Sequence, residues 1–170
     1  MTKKIALIAL LLAALSLPAL AEETALVPSA VPPTALNMPV ALYCGPTQGF
    51  YRHDEQMIDL TTPFVCFGQY DCWAMVAQGT PEAFGPVGFI EGGLFDAANL
   101  PELSFEDSYA AMIEDDAPVT NDPLTPDSAW AMTLPRGTQI IVLASMNDWL
   151  YVQTEIDGTP ARVFVPSKVL

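Results

Sequence analysis

The sequence predicts an all-β chain folded as two small antiparallel barrels in tandem. A pattern recurs at a fixed spacing along the chain, and fixed-period self-similarity marks a repeated unit. Tyr70-Asp71-Cys72-Trp73-Ala74-Met75-Val76 aligns with Met146-Asn147-Asp148-Trp149-Leu150-Tyr151-Val152 at an offset of 76. At the same offset Phe64-Val65-Cys66-Phe67 meets Ile140-Ile141-Val142-Leu143, and at 75 Gly88-Phe89-Ile90 meets Val163-Phe164-Val165. Nearer the start of each copy, Gly45-Pro46 matches Asp122-Pro123. Each copy also divides into short apolar and β-branched runs separated by turn residues, the signature of hairpin-linked strands.

Met1 to Ala21 reads as a secretory leader. Lys3 and Lys4 form a basic start, Ile5 to Leu17 is apolar apart from Ser16, and Ala19-Leu20-Ala21 supplies the small-x-small pattern of a cleavage site. The apolar run is shorter than the roughly 20 residues that span a bilayer. No second long apolar stretch follows and no Cys succeeds the leader, so an exported chain without membrane insertion is expected. Residues 22–38 carry Pro28, Pro32 and Pro33 and read as a semi-rigid, Pro-rich tether.

The first barrel is expected over residues 39–94 and the second over 117–170. In the second, Leu134-Pro135-Arg136-Gly137 is a turn, Thr138 to Leu143 a strand, Ala144 to Asp148 a polar hairpin connection, and Trp149 to Thr154 its partner strand. Asp157-Gly158 signals the next turn, Ala161 to Val165 the third strand, and Pro166 ends it. Between the barrels, residues 95–116 form an acidic connector. There Phe105, Tyr109, Met112 and Ile113 share one helical face behind a Ser104 N-cap signal, which fits a short helix or turn packing across the barrels, with an extended connector donating the second copy's first strand as the alternative. Each copy is below 60 residues, and a core of that size is marginal alone. A compact two-barrel unit follows, rather than beads on a string.

Charge and chemistry narrow the function. The 170 residues hold 20 acidic and 6 basic side chains, a formal charge of −14. Loss of Lys3 and Lys4 with the leader takes it to −16. Such a chain lacks the cations that neutralise phosphates, which excludes nucleic-acid binding, and it is repelled by anionic polymers. The only histidine is His53, so no nucleophile–base pair stands out, and no phosphate-cradling loop or metalloprotease motif occurs. No enzyme and no cofactor are expected. Cys44, Cys66 and Cys72 permit one disulfide in an exported chain. A turn through Gly68-Gln69-Tyr70 would oppose Cys66 and Cys72 and favour that bridge, with Cys44 as the rival partner for either. These thiols with His53 could make four zinc ligands, but no C-x(2–4)-C pair is present and one bridge plus a spare thiol is preferred. Glu114, Asp115 and Asp116, with Asp122 and Asp127, are a weaker calcium candidate, lacking the glycine bend.

The segment Gly137-Thr138-Gln139-Ile140-Ile141-Val142-Leu143, then Asp148-Trp149-x-x-Val152, then Phe164-Val165-Pro166 resembles the bacterial SH3 domain. The first copy is similar through Gly45-Pro46, Tyr51-Arg52, Phe64 to Phe67, Trp73-x-x-Val76 and Gly88-Phe89-Ile90. Family members often carry Gly-Trp before the last strand, where this chain has Phe89 and Phe164, with Val163 replacing the second glycine. The resemblance implies SH3-like barrels and a secreted, monomeric binding module for cell-wall peptide or peptidoglycan. An extracellular interaction module for a cationic protein is the alternative. It also implies binding aromatics between the first loop and the hairpin: Tyr51, Tyr70 and Trp73 in the first copy, and Trp130, Trp149 and Tyr151 in the second.

Overall fold

The computed structural model of the protein describes residues 24–34, 38–95, 100–125 and 128–170. The expected leader, residues 1–21, lies outside them, as does Asp127. Two four-stranded antiparallel sheets dominate. The first has the order β1-β4-β5-β6, from Ser29–Val31, Phe64–Tyr70, Trp73–Thr80 and Ala83–Glu91. The second has the order β7-β10-β11-β12, from Tyr109–Met112, Gln139–Met146, Trp149–Ile156 and Thr159–Pro166. Each unit adds a two-stranded ribbon: β2 (Val40–Ala41) with β3 (Met57–Ile58), and β8 (Ala117–Pro118) with β9 (Thr133–Leu134). Among the described residues the only helical pieces are single 3-10 turns, Gly92–Leu94 and Ser167–Val169, one closing each unit. The chain is therefore all-β, with two units of the same strand order.

The repeat extends to irregularities. The register slips between Cys66 and Gly68 on β4 and between Val142 and Ala144 on β10, a bulge at Phe67 and at its counterpart Leu143. The hairpins turn through two residues, Asp71-Cys72 and Asn147-Asp148, with Asp71 at φ 56° and Asn147 at φ 51°. Asp and Asn tolerate that left-handed region and suit two-residue hairpin turns. The second hairpin connection is thus shorter than the expected Ala144–Asp148.

Strand alternation sorts the side chains into three cores. Phe64, Cys66, Ala74, Val76 and Ile90 point into the first unit, while Ile140, Val142, Leu150, Val152, Val163 and Val165 point into the second. The opposite parity of the same strands builds a third core between the units. Phe67, Trp73, Met75 and Phe89 of the first meet Leu143, Met146, Tyr151 and Phe164 of the second. The period of two explains why both faces of the central strands are apolar.

Backbone contacts across this boundary are reciprocal, as in an isologous dimer. The Arg162 N–H donates to the Cys44 carbonyl at 2.6 Å, and the Val87 N–H donates to the Asn121 carbonyl at 2.6 Å. Arg162 and Val87 occupy matching repeat positions, as do Cys44 and Asn121. The segments that precede each outer strand also cross over. Thr24–Leu26 bonds to Ser145 of the second sheet, through Ser145 N–H to the Thr24 carbonyl (2.8 Å) and Leu26 N–H to the Ser145 carbonyl (3.0 Å). Pro101–Leu103 does the same to Gln69, the counterpart of Ser145, at 2.8 and 2.7 Å. Gly68 makes room for that segment: a Cβ there would sit 2.8 Å from Leu103 Cγ and from the Pro101 carbonyl oxygen.

One sequence expectation changes here and another is settled. Part of the expected tether is sheet, because β1 and Thr24–Leu26 both pair within it. Their prolines, Pro28 and Pro32, flank the strand rather than interrupting its ladder. Around Phe105–Ile113, where the sequence fits a short helix or turn with an extended strand as the alternative, the chain makes a turn at Glu106-Asp107 and then the extended strand β7, with no helix. Tyr109 and Ala111 pack against the second core, so the ladder with β10 outweighs the helical spacing.

Phe164 is fully buried in the third core. Phe164→Ala should cost about 3–5 kcal/mol, the usual penalty for emptying a buried Phe site. Because the site belongs to both units, thermal unfolding should move down as one transition; separate transitions for the two halves would contradict the shared core.

Candidate ligand-binding site

A single row of side chains crosses the second sheet: Ala110, Ile141, Gln153 and Arg162 are successive cross-strand partners. Tyr151 and Phe164 lie two residues further along on the same face, inside the inter-unit core. One sheet face therefore runs continuously from buried to open. At its open end is a groove of about 800 Å³, lined by Ala110, Met112, Gln139, Ile141, Gln153 and Glu155 among others. Met112 is 55% exposed and Ile141 41%.

The first unit has the same row in Ala30, Val65, Ala77 and Val87. There Val65 is fully buried and Val87 is nearly so. Leu124, from the second unit's loop, packs against the cluster that contains them. The matching position in the first unit's loop is Thr47, which is polar and exposed. The centre of this face is thus closed in the first unit, at Val65 and Val87, and open in the second at Ile141, while the outer-strand residues Ala30 and Ala110 are exposed in both.

Arg162 marks the boundary between the open and buried parts of the second face. Its side chain is 8% exposed, and its guanidinium carbon lies 5.0 Å from the Tyr70 ring centre and 5.2 Å from that of Phe105. Phe50 and Phe89 stand at 5.7 and 5.9 Å. Its Nε donates to Gln153 Oε1 at 3.1 Å, whereas Nη1 has no partner among the described residues. Ring faces attract a cation, by about 2 kcal/mol or more when desolvated. Removing a charge from water costs several kcal/mol, so a buried guanidinium without a carboxylate is expensive. Arg162 is a charge of the second unit clasped by aromatics of the first unit and the connector. On the outer side of that clasp is a smaller recess of about 400 Å³, lined by Tyr70, Leu103, Phe105, Glu102 and Glu106.

The six expected binding aromatics do not form one surface. Trp73 and Tyr151 are buried in the inter-unit core, and Trp149 packs partly buried against it. Trp73 meets Tyr43 edge-on at 5.6 Å. Trp130 is buried in the second core; it stacks on His53 at 4.1 Å and meets the Tyr51 ring at a 41° tilt, 5.7 Å away, docking the first unit's loop onto the second. Tyr70 alone is classed as exposed, at 38%, and it reaches the smaller recess. Sequence reading missed Arg162 and the groove. The available signal was an arginine at the same strand parity as Phe164, which places a charge on the inter-unit face.

The cysteines are free thiols, and the expected Cys66–Cys72 bridge is not formed. Cys66 is opposite Val76, since the chain turns at Asp71-Cys72 rather than at Gly68–Tyr70, leaving Cys72 exposed at the turn. Cys44 and Cys66 are buried in different cores, and burial pushes their thiols up to about 12 and about 11. The His53 N–H opposes the shift at Cys44 but only partly. No group of three His, Cys, Asp or Glu side chains converges on a metal position among the described residues. Asp116 Oδ1 instead accepts the Arg136 N–H at 2.9 Å.

In the folded protein one thiol, Cys72, should react promptly with a thiol reagent, and all three should react after denaturation. Folding raises the Cys44 and Cys66 pKa values above the ordinary 9.0, so their contribution to stability is complete below that pH and is lost as pH rises through about 11 to 12. Melting temperature should therefore fall above about pH 9, and less steeply in Cys44→Ala. Rapid native-state labelling of a second cysteine would contradict this placement.

No protein-family model, curated protein or solved structure matches the chain.

Proposed function

We propose that the protein is a non-catalytic binding module that acts outside the cytoplasmic membrane and takes a cationic peptide or protein segment on the open face of its second sheet. The observation that carries this reading is the groove at Met112 and Ile141, on a face whose matching central residue in the first unit, Val65, is fully buried. An exposed apolar strip on an otherwise charged surface is a common mark of an interaction site. The acidity of the chain, −14 overall, favours a basic partner. The leader-like residues 1–21 support export. The raised thiol pKa values of Cys44 and Cys66 argue against thiolate chemistry at those positions. The motif resemblance to bacterial SH3 domains and the paired four-stranded sheets agree with a binding role.

Cell-wall peptide is the second reading, and the Tyr70 recess is what favours it. Glu102 and Glu106 beside Tyr70 and Phe105 suit the free amine of a wall peptide. A stacking platform for sugars has less support, since Trp73, Trp130 and Tyr151 are buried.

Co-sedimentation of residues 22–170 with purified peptidoglycan, beside capture on an immobilised lysine- and valine-rich peptide, separates the two. The groove reading predicts capture on the peptide that weakens steeply with salt and is lost in Ile141→Asp but kept in Tyr70→Ala. Retention on peptidoglycan that depends on Tyr70 and ignores Ile141 would overturn it in favour of the wall.

A further inference from the structure

Among the described residues the two four-stranded sheets have four outer edges, and three of these are occupied or guarded. The β6 edge bonds to the loops through Tyr43–Phe89 and Val87 to Asn121. The β12 edge does so through Thr120–Phe164 and Arg162 to Cys44. The β1 edge, Ser29–Val31, is flanked by Pro28 and Pro32-Pro33. Proline is a standard guard of sheet edges because it offers no donor to an incoming strand. The β7 edge, Tyr109–Met112, has no proline and no charge within it.

Its hydrogen-bonding groups alternate in direction. The Ile113 N–H donates to the Thr138 carbonyl at 3.0 Å, and Ala111 is paired with Ile140 on the same side. In an antiparallel ladder the intervening residues point the other way. The N–H and C=O of Ala110 and Met112 therefore face away from β10, and no partner meets them among the described residues. The side chains of the same two residues line the groove. Exposed carboxylates bracket the edge: Glu106 and Asp107 precede it, and Glu114, Asp115 and Asp116 follow it.

Resting on the groove reading above, we propose that β7 receives an extended peptide strand with an apolar centre and basic ends, which extends the second sheet by one strand. Backbone bonds to Ala110 and Met112 would supply the pairing, and alternate side chains of the peptide would fall on the groove beside Met112 and Ile141. Strand addition of this kind draws affinity from main-chain bonds and specificity from alternate side chains. Lysines or arginines at the two ends would meet the flanking carboxylates.

The test uses a fluorescein-labelled peptide, Lys-Lys-Val-Thr-Val-Thr-Val-Lys-Lys, and fluorescence anisotropy with residues 22–170 at low salt. Ala110→Pro removes an outward N–H while leaving the β10 ladder intact. It should weaken binding about tenfold or more, the cost of losing a strand bond and its close approach, without lowering the melting temperature. A peptide N-methylated at alternate valines is the matched probe that needs no protein variant, and it should lose binding equally. Binding that Ile141→Asp abolishes but Ala110→Pro and N-methylation leave intact overturns strand addition and preserves the groove. No binding of the unmodified peptide to the wild type overturns both.

Discussion

The inter-unit core sets the terms for everything else in this molecule. Each unit has a sheet with one face turned to its own small core and another that is also apolar, at Phe67, Trp73, Met75 and Phe89 in the first and at Leu143, Tyr151 and Phe164 in the second. A unit of this size buries too small a fraction of its surface to be more than marginal alone. Joining the two faces removes both liabilities at once. The same joint fixes the backbone, because β6 and β12 each lend an N–H, of Val87 and Arg162, to the other unit's loop, and each leading segment is bonded to the other unit's sheet. Local elements and the whole fold are thus mutually dependent, as expected of an isologous pair made within one chain.

Departures from repeat symmetry locate the features available for function. Val87 of the first unit becomes Arg162 of the second, and Leu124 of one loop corresponds to Thr47 of the other. The first exchange places an uncompensated guanidinium within an aromatic clasp, where four rings offset part of its desolvation. The second replaces a leucine packed on the inter-unit core with an exposed threonine, in a molecule whose Ile141 is left 41% exposed. This is the physical basis for siting the proposed ligand on the second unit.

Much of the architecture was legible in the sequence. The repeat and the three long strands of each unit follow from alternation and a shared offset, because period-two patterning records which face is buried, and the compact pairing follows from the small size of each copy. The leading segments were not legible. Thr24–Leu26 and Pro101–Leu103 exchange backbone bonds, and only Leu26 and Leu103 show a common side-chain requirement. The β7 strand was obscured because Phe105, Tyr109, Met112 and Ile113 happen to fit a helical period, a choice settled by pairing with β10. The cysteine pairing turned on one residue: Asp71 in the left-handed region sets a two-residue turn and moves Cys72 out of reach of Cys66. As for the site, the resemblance directed attention to tryptophans that packing had already consumed, Trp73 and Trp149 at the inter-unit core and Trp130 in the second core, while a single Arg at a core parity was overlooked.

Native-state amide hydrogen exchange on residues 22–170 tests the central claim most directly. If the two units are one cooperative body, the bonded amides of Leu26, Val87, Leu103 and Arg162 should exchange only through global opening, with the same free energy as core amides such as Val76 and Val152. Fast exchange at Leu26 and Leu103, with Val76 and Val152 protected to different extents, would show two independent units in loose contact and contradict the shared fold.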